Sequence, residues 1–210
     1  MTLNFDVKQF IQDFSHECSK VQIKNFQKGE VITNYIQKRE QFCMLISGSA
    51  DLVRYDLNGN KTIIERIAEG HAFGEIFYTI NTNNEFFVEA KKNCSVLFFK
   101  YADIKNKCNK TCKFHEVLSE KLPEIILDKV IDLNTRIELL TNRSIRDKLI
   151  GYFSTLSTKT FSKTITLDLS LTNLADYLCV DRSAMMREMK ALKEEGFIRK
   201  NGNKITLLHK

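Results

Sequence analysis

The spacing of hydrophobic positions changes several times along this chain. Near the start, Val7, Phe10, Ile11 and Phe14 recur at helical spacing within residues 6–16. From about Lys20 to Phe99 the apolar residues fall instead into short runs: VQIKNF, GEVIT, FCMLISG, SADLVRYD, TIIERI, FFVEA and CSVLFF. Asn58-Gly59 separates two of these runs, a strong hairpin signal. Gly29, Gly48, Gly70 and Gly74 punctuate the others. Many short strands at close spacing predict a small β-barrel or jelly roll.

The period then returns to that of a helix. Ile126, Val130, Leu133, Ile137 and Leu140 follow 4-3-4-3 spacing, an a/d seam of the kind that pairs two helices. Asp128, Lys129, Asp132, Asn134, Thr135, Arg136 and Glu138 leave only a narrow apolar stripe between them. This favours a dimer seam over a helix packed on its own domain. Pro123 lacks an amide hydrogen and restricts Leu122, so a break is expected here, with one helix near 114–121 and another from Leu122 or Pro123.

Ser144 to Leu156 reads as a further helix with Ile145, Leu149, Ile150 and Phe153 on one face, and Ile165, Leu167 and Leu169 alternate as in a strand. Two short helices follow, 171–178 and 181–194, joined at Cys179-Val180. Leu174, Ala175 and Leu178 form the inner face of the first, and Ala175 is small enough for a close helix crossing. Thr172 is expected to cap the first helix and Asp181 the second. On the second, Met185, Met189 and Leu192 face inward, while Arg182, Ser183, Met186, Arg187 and Lys190 face outward. Phe197-Ile198 and Ile205 to Leu208 flank Asn201-Gly202-Asn203 as a two-stranded wing. The whole predicts an α+β protein in three parts: a β-barrel over 1–113, a dimerisation helix over 114–140 and a winged helix-turn-helix over 141–210.

Charge sharpens this picture. Residues 1–140 hold 19 Lys/Arg and 19 Asp/Glu, whereas residues 141–210 hold 13 and 7, so the entire net charge of +6 lies in the last third. A basic excess confined to the winged segment is the signature of a polyanion-binding module. An arginine offers two donors that match guanine O6 and N7. Arg182 and Arg187 are therefore the expected base readers, with Ser183 beside them. Thr172, Lys190, Arg199 and Lys204 are assigned to phosphates, which add affinity without sequence information. Double-stranded DNA is the expected partner. No GxSxG, Walker loop or HExxH motif is present, and no catalytic residue is predicted. A protein-interaction adaptor on a β-barrel scaffold is the alternative, but it leaves the confined charge unexplained.

The order of β-barrel, helix and winged helix-turn-helix resembles the cyclic-AMP receptor/fumarate–nitrate regulator (CRP/FNR) family of bacterial transcription factors. Lys28-Gly29-Glu30, Leu45 to Gly48, Gly70 with Phe73-Gly74-Glu75, and Leu171 to Ile198 carry the resemblance, which spans nearly the whole chain. It implies a cyclic-nucleotide-binding-like effector domain, a homodimer, a two-fold symmetric DNA site, RNA polymerase as a partner and a small-molecule effector. The chain departs from the family at its phosphate cassette. Cyclic-nucleotide members follow a Gly-Glu pair, ten residues after the Glu, with Arg and then Ser or Thr. Here Gly74-Glu75 is followed at that distance by Glu85 and Phe86, and no Arg or Lys occurs between Arg66 and Lys91. A carboxylate ~4 Å from a phosphate repels it by about 4 kcal/mol near a protein surface. Cyclic AMP is therefore not expected to bind in the family's way. Phe73, Gly74, Glu75, Glu85 and Phe86 remain the expected surroundings of some other effector. The recognition helix departs too: where relatives often begin with Arg-Glu, this chain has Arg182-Ser183, so its neighbouring base is read differently.

The six cysteines include no CxxC pair, and no metal site is predicted. Relatives with an iron–sulfur cluster use a closely spaced N-terminal cysteine group. Only Cys18 stands in that region, so neither a cluster nor haem is expected. A set formed by Cys94, Cys108 and Cys112 with His115 is the nearest alternative. The N-terminus lacks the basic start and apolar core of a secretion signal, and no apolar run suits a membrane span. A cytoplasmic protein with thiols and without disulfides is expected.

Overall fold

Two of the strand runs, FCMLI and CSVLFF, are apolar without alternation, and the computed structural model shows why. It describes residues 9–11, 18–35, 40–74, 85–106 and 112–208. These runs form β3 (Gln41–Ser47) and β8 (Cys94–Lys100). With β1 (Gln22–Phe26) and β6 (Ala72–Phe73) they make an antiparallel sheet of order β1-β8-β3-β6. Its inner face presents Cys43, Leu45, Val96 and Phe98 to the second sheet. Its outer face buries Phe42, Met44, Leu97 and Phe99 under Phe10, Ile11, Phe114, Leu118 and Ile125. Strands buried on both faces read as continuous hydrophobic runs.

The second sheet, of order β2-β7-β4-β5, contains β2 (Val31–Asn34), β4 (Ser49–Tyr55), β5 (Lys61–Ala68) and β7 (Glu85–Ala90). The strands thus make a two-sheet jelly-roll sandwich and not the closed barrel that their spacing also allowed. The hairpin at Asn58-Gly59 is present with a longer loop than a two-residue turn, because Tyr55 pairs with Lys61. Its Asp56 carboxylate accepts from the backbone amides of Asn58 and Asn60 and from the Asn60 side chain. The Asn60 amide holds Asp56 below the usual carboxylate range. Between β3 and β4, Gly48 has φ +95°, and a Cβ there would lie 2.3 Å from the Asn93 carbonyl oxygen. Glycine is therefore required in this turn.

After α1 (Tyr101–Lys105) comes α2 (Lys113–Thr141), which runs through Pro123 without interruption. The break expected at Pro123 does not occur. A proline inside a helix loses one backbone hydrogen bond and crowds the carbonyl one turn back, at a combined cost of about 3 kcal/mol. Phe114 and Leu118 before the proline and Ile125 after it are buried in the same cluster, and their burial offsets that cost. Lys129 is anchored on Glu65 and donates to the Ala72 carbonyl, and His71 meets Asp132 at 3.0 Å. No helix among the described residues is long and apolar enough to cross a membrane.

The chain divides into two compact units, Met1–Asp132 and Leu133–Lys210, with the division falling inside α2. In the second unit, α3 (Ile145–Thr160), β9 (Thr164–Thr166), α4 (Leu171–Leu178), α5 (Arg182–Glu194), β10 (Ile198–Asn201) and β11 (Lys204–Leu207) surround one apolar core. The wing is larger than two strands. β9 pairs with β11, giving a sheet of order β10-β11-β9.

Candidate nucleic-acid interface

The placement of α5 follows from its cap and its buried stripe. Asp181 has extended backbone, and its carboxylate accepts from the Ala184 amide at 2.7 Å, ending the preceding turn and starting the helix. Met185, Met189 and Leu192 are buried in the core of the second unit, so the opposite face is fixed outward. Arg182, Ser183, Met186, Arg187 and Lys190 occupy that face and are exposed, as their spacing predicts.

The cap of α4 differs from the expectation. Ser170, not Thr172, caps this helix, accepting from the Asn173 amide at 3.1 Å. The apolar frame decides between them. With Ser170 as cap, Leu169 precedes the cap and Leu174 sits one turn inside, and both are buried in the same core, the pairing of a hydrophobic staple. With Thr172 as cap, the corresponding partner would be the polar Asp176. Thr172 is left exposed on the first turn of α4. Between the helices Cys179 takes a left-handed conformation at φ 52°, and the Val180 amide donates back to Ala175. Such a conformation costs a non-glycine residue about 1–2 kcal/mol. The buried Leu178 and the half-buried Val180 on either side fix it.

The electrostatics separate committed cations from available ones. Arg146 on α3 donates to both carboxylate oxygens of Glu195 at 2.7 Å and to Glu188 at 2.5 Å. These bonds raise the Arg146 guanidinium above its ordinary range and hold Glu195 below the usual carboxylate value. Lys148 donates to the Leu178 carbonyl at the end of α4, and Lys200 donates to Gly202 within the wing turn. Lys190 lies 3.7 Å from Glu194, an exposed pair worth little and easily exchanged. Arg182 and Arg187 on α5 and Arg199 and Lys204 on the wing are exposed and have no ion-pair partner among the described residues. The Arg146 clamp, which ties α3 to Glu188 within α5 and to Glu195 just after it, is not visible in the sequence, since only the folded spacing of Glu188 and Glu195 reveals it.

The expected effector residues lie elsewhere. Phe73 is fully buried between the sheets, and Phe86 packs against the same core. A Cβ on Gly74 would meet the Gln41 carbonyl at 2.2 Å. Glu75 lies outside the described residues, as does the side chain of Glu85. Clefts of about 350 and 210 Å³ open instead beside β1, the larger one lined by Asn25, Gln27, Asn93 and Ser95 among others. The cysteines also group differently from the spacing-based set. Cys94 belongs to the core between the sheets, where burial pushes its thiol pKa up. Cys18, from the far end of the sequence, joins Cys112 and His115. Cys108 is outside the described residues.

Residues 23–111 match the cyclic nucleotide-binding domain, and residues 147–210 match the Crp-like helix-turn-helix domain. No curated protein sequence matches the chain. Among solved structures, the chain is similar to a CooA mutant from Carboxydothermus hydrogenoformans, with 15% identity over 100% of this chain and 94% of that one, and a TM-score of 0.78. It is similar to CprK complexed with OCPA, with 17% identity over 95% and 91% and a TM-score of 0.71. It is also similar to FixK2 from Bradyrhizobium japonicum, with 16% identity over 90% and 93% and a TM-score of 0.66. At these identities the structures establish the fold, and the two matched domains, in this order around α2, establish the rest: the chain belongs to the CRP/FNR family of transcription regulators.

Proposed function

We propose that this regulator binds a two-fold symmetric duplex DNA site as a homodimer. In this reading, Arg182, Ser183 and Arg187 meet base edges, and Thr172, Lys190, Arg199 and Lys204 meet phosphates. The observation that carries it is the set of exposed, uncommitted cations on α5 and the wing, on a helix locked from behind by Met185, Met189 and Leu192. A recognition helix works in this way, presenting its N-terminal outward residues to the major groove while phosphate contacts set the register. Ile126, Val130, Leu133 and Ile137 remain exposed on α2 in the single chain, joined by Leu127 and Ile131. A second copy of the chain is their fitting partner. Leu140 is half-buried within its own unit, so the seam ends near Ile137. The protein works in the cytoplasm, with RNA polymerase as its downstream partner.

The effector that the β-sandwich takes is other than cyclic AMP. The cations flanking the cassette are already engaged, which supports this: Lys91 faces Asp51 and Glu89, and Arg66 faces Asp51. Isothermal titration of the dimer with cyclic AMP and cyclic GMP is expected to show no saturable heat. Micromolar affinity for either would overturn the assignment.

DNA binding is tested by fluorescence anisotropy on duplex from upstream of the protein's own gene, against a scrambled duplex, across a salt series. The logarithm of the affinity is expected to fall linearly with the logarithm of salt, with a slope near −0.9 per phosphate contact. Salt-insensitive or absent binding to every duplex, with and without candidate effectors, would favour the adaptor alternative.

A further inference from the structure

Within the first unit, Cys18 Sγ, Cys112 Sγ and a His115 ring nitrogen lie within 4.8 Å of one another. Cys18 and His115 are 97 residues apart in sequence, yet the sulfur lies 3.7 Å from Nδ1. The ring is held from its other side, because His115 Nε2 lies 2.8 Å from the Asp103 carbonyl oxygen. A carbonyl only accepts, so Nε2 carries the hydrogen, and in the neutral ring the Nδ1 lone pair points at Cys18. A ligand histidine is oriented in just this manner when its second nitrogen donates to a backbone carbonyl. Cys18 and His115 are nearly inaccessible, and Cys112 is half-buried. Phe10, Phe99 and Phe114 belong to the same apolar cluster as Cys18, with Cys112 packed at its edge.

We propose that Cys18, Cys112 and His115 form a binding site for a single zinc ion, with His115 ligating through Nδ1. Two thiolates and an imidazole suit a borderline-soft divalent cation. In a tetrahedral site with Zn–S ≈ 2.3 Å and Zn–N near 2 Å, sulfur and nitrogen stand roughly 3.5 Å apart, close to the separation of Cys18 and His115. Binding releases the two thiol protons to solvent, so Zn²⁺ with two thiolates and a neutral imidazole carries no net charge. A neutral complex is the form that an apolar cluster tolerates. The fourth position is left to water or a small ligand. The ion ties the segment before β1 to the first turn of α2, which makes its occupancy a structural input to that helix.

The test uses the full-length protein, reduced and stripped with a chelator. Cobalt(II) titration is expected to show one equivalent per chain, with thiolate-to-cobalt charge transfer and the visible bands of tetrahedral cobalt. Zinc should displace the cobalt and protect Cys18 and Cys112 from alkylation. Cys18→Ser and Cys112→Ser should each remove about half of the charge-transfer intensity. Each should also weaken zinc binding by about 100-fold or more, since loss of a mere supporting partner already costs 10–100-fold. His115→Gln should weaken zinc while keeping the charge transfer. Cys94→Ser and Cys179→Ser should change neither. Cys112→Ser, at the half-buried position, keeps the test valid if Cys18→Ser fails to fold by circular dichroism. Absence of charge transfer in the reduced protein would overturn the site. So would intensity that survives in folded Cys112→Ser, or a Cys18–Cys112 disulfide that forms as readily with zinc as without it.

Discussion

Arg182→Ala is expected to erase the preference for the upstream site while leaving binding to scrambled duplex nearly unchanged. Arg182 is the first residue of α5, adjacent to its Asp181 cap, and no carboxylate competes for its guanidinium among the described residues. A bidentate arginine–guanine contact is worth about 1–3 kcal/mol of discrimination, or roughly 5- to 160-fold. In a dimer on a symmetric site both half-sites lose it, so the loss in free energy doubles. Folding should not suffer, because the side chain is exposed and the cap and buried stripe are untouched. Lys204→Ala is the informative contrast. It should weaken all duplexes alike and reduce the magnitude of the salt slope by about 1. Anisotropy on both duplexes across the salt series separates the two outcomes. If Arg182→Ala weakened every sequence equally, Arg182 would be a phosphate contact and base reading would fall to Arg187.

Much of this arrangement could be read from residue order because its causes are local. The Asp181 cap and the stripe of Met185, Met189 and Leu192 lie within a few turns of each other, and together they determine which side chains leave the surface. The wing turn at Gly202-Asn203 is equally local. Ser170 caps α4 in place of the expected Thr172 because Leu169 and Leu174 form a staple around it, which is also a local pattern. Pro123 departs from the local backbone rule because Phe114, Leu118 and Ile125 are buried on either side of it. Long-range groupings were not legible. Arg146 meets Glu195 only through the packing of α3 against α5, and Cys18 reaches His115 only after the sandwich has closed. No spacing rule reports such pairs, since tens of residues separate them and the intervening chain sets their distance. Phe73 shows a related limit. Aromatic composition does not distinguish a pocket wall from a core, and Phe73 is core.

Loss of the dimer itself is expected from the pair Val130→Glu with Ile137→Glu. Both side chains lie on the apolar stripe of α2, 44% and 59% exposed in the single chain, on a face distinct from the one that buries Ile125 and Lys129. In an isologous dimer each substitution appears twice. Half-burying an aliphatic side chain contributes roughly 1 kcal/mol, so lost burial alone removes about 3–4 kcal/mol per dimer, more than 100-fold in the dissociation constant. Four carboxylates placed in an apolar seam must in addition be desolvated or kept apart, which pushes the equilibrium further towards monomer. The monomer itself should keep its far-ultraviolet circular dichroism, because neither side chain packs inside its own fold. Sedimentation velocity should show the wild-type dimer converted to monomer at the same concentration. Affinity for the symmetric site should then collapse towards that of a single half-site. Leu57→Glu, at an 87% exposed position in the β4–β5 loop, should leave association unchanged and controls for charge alone. A doubly substituted protein that still sediments as a dimer would place the interface on a different surface, and the exposed stripe of α2 would then need another partner.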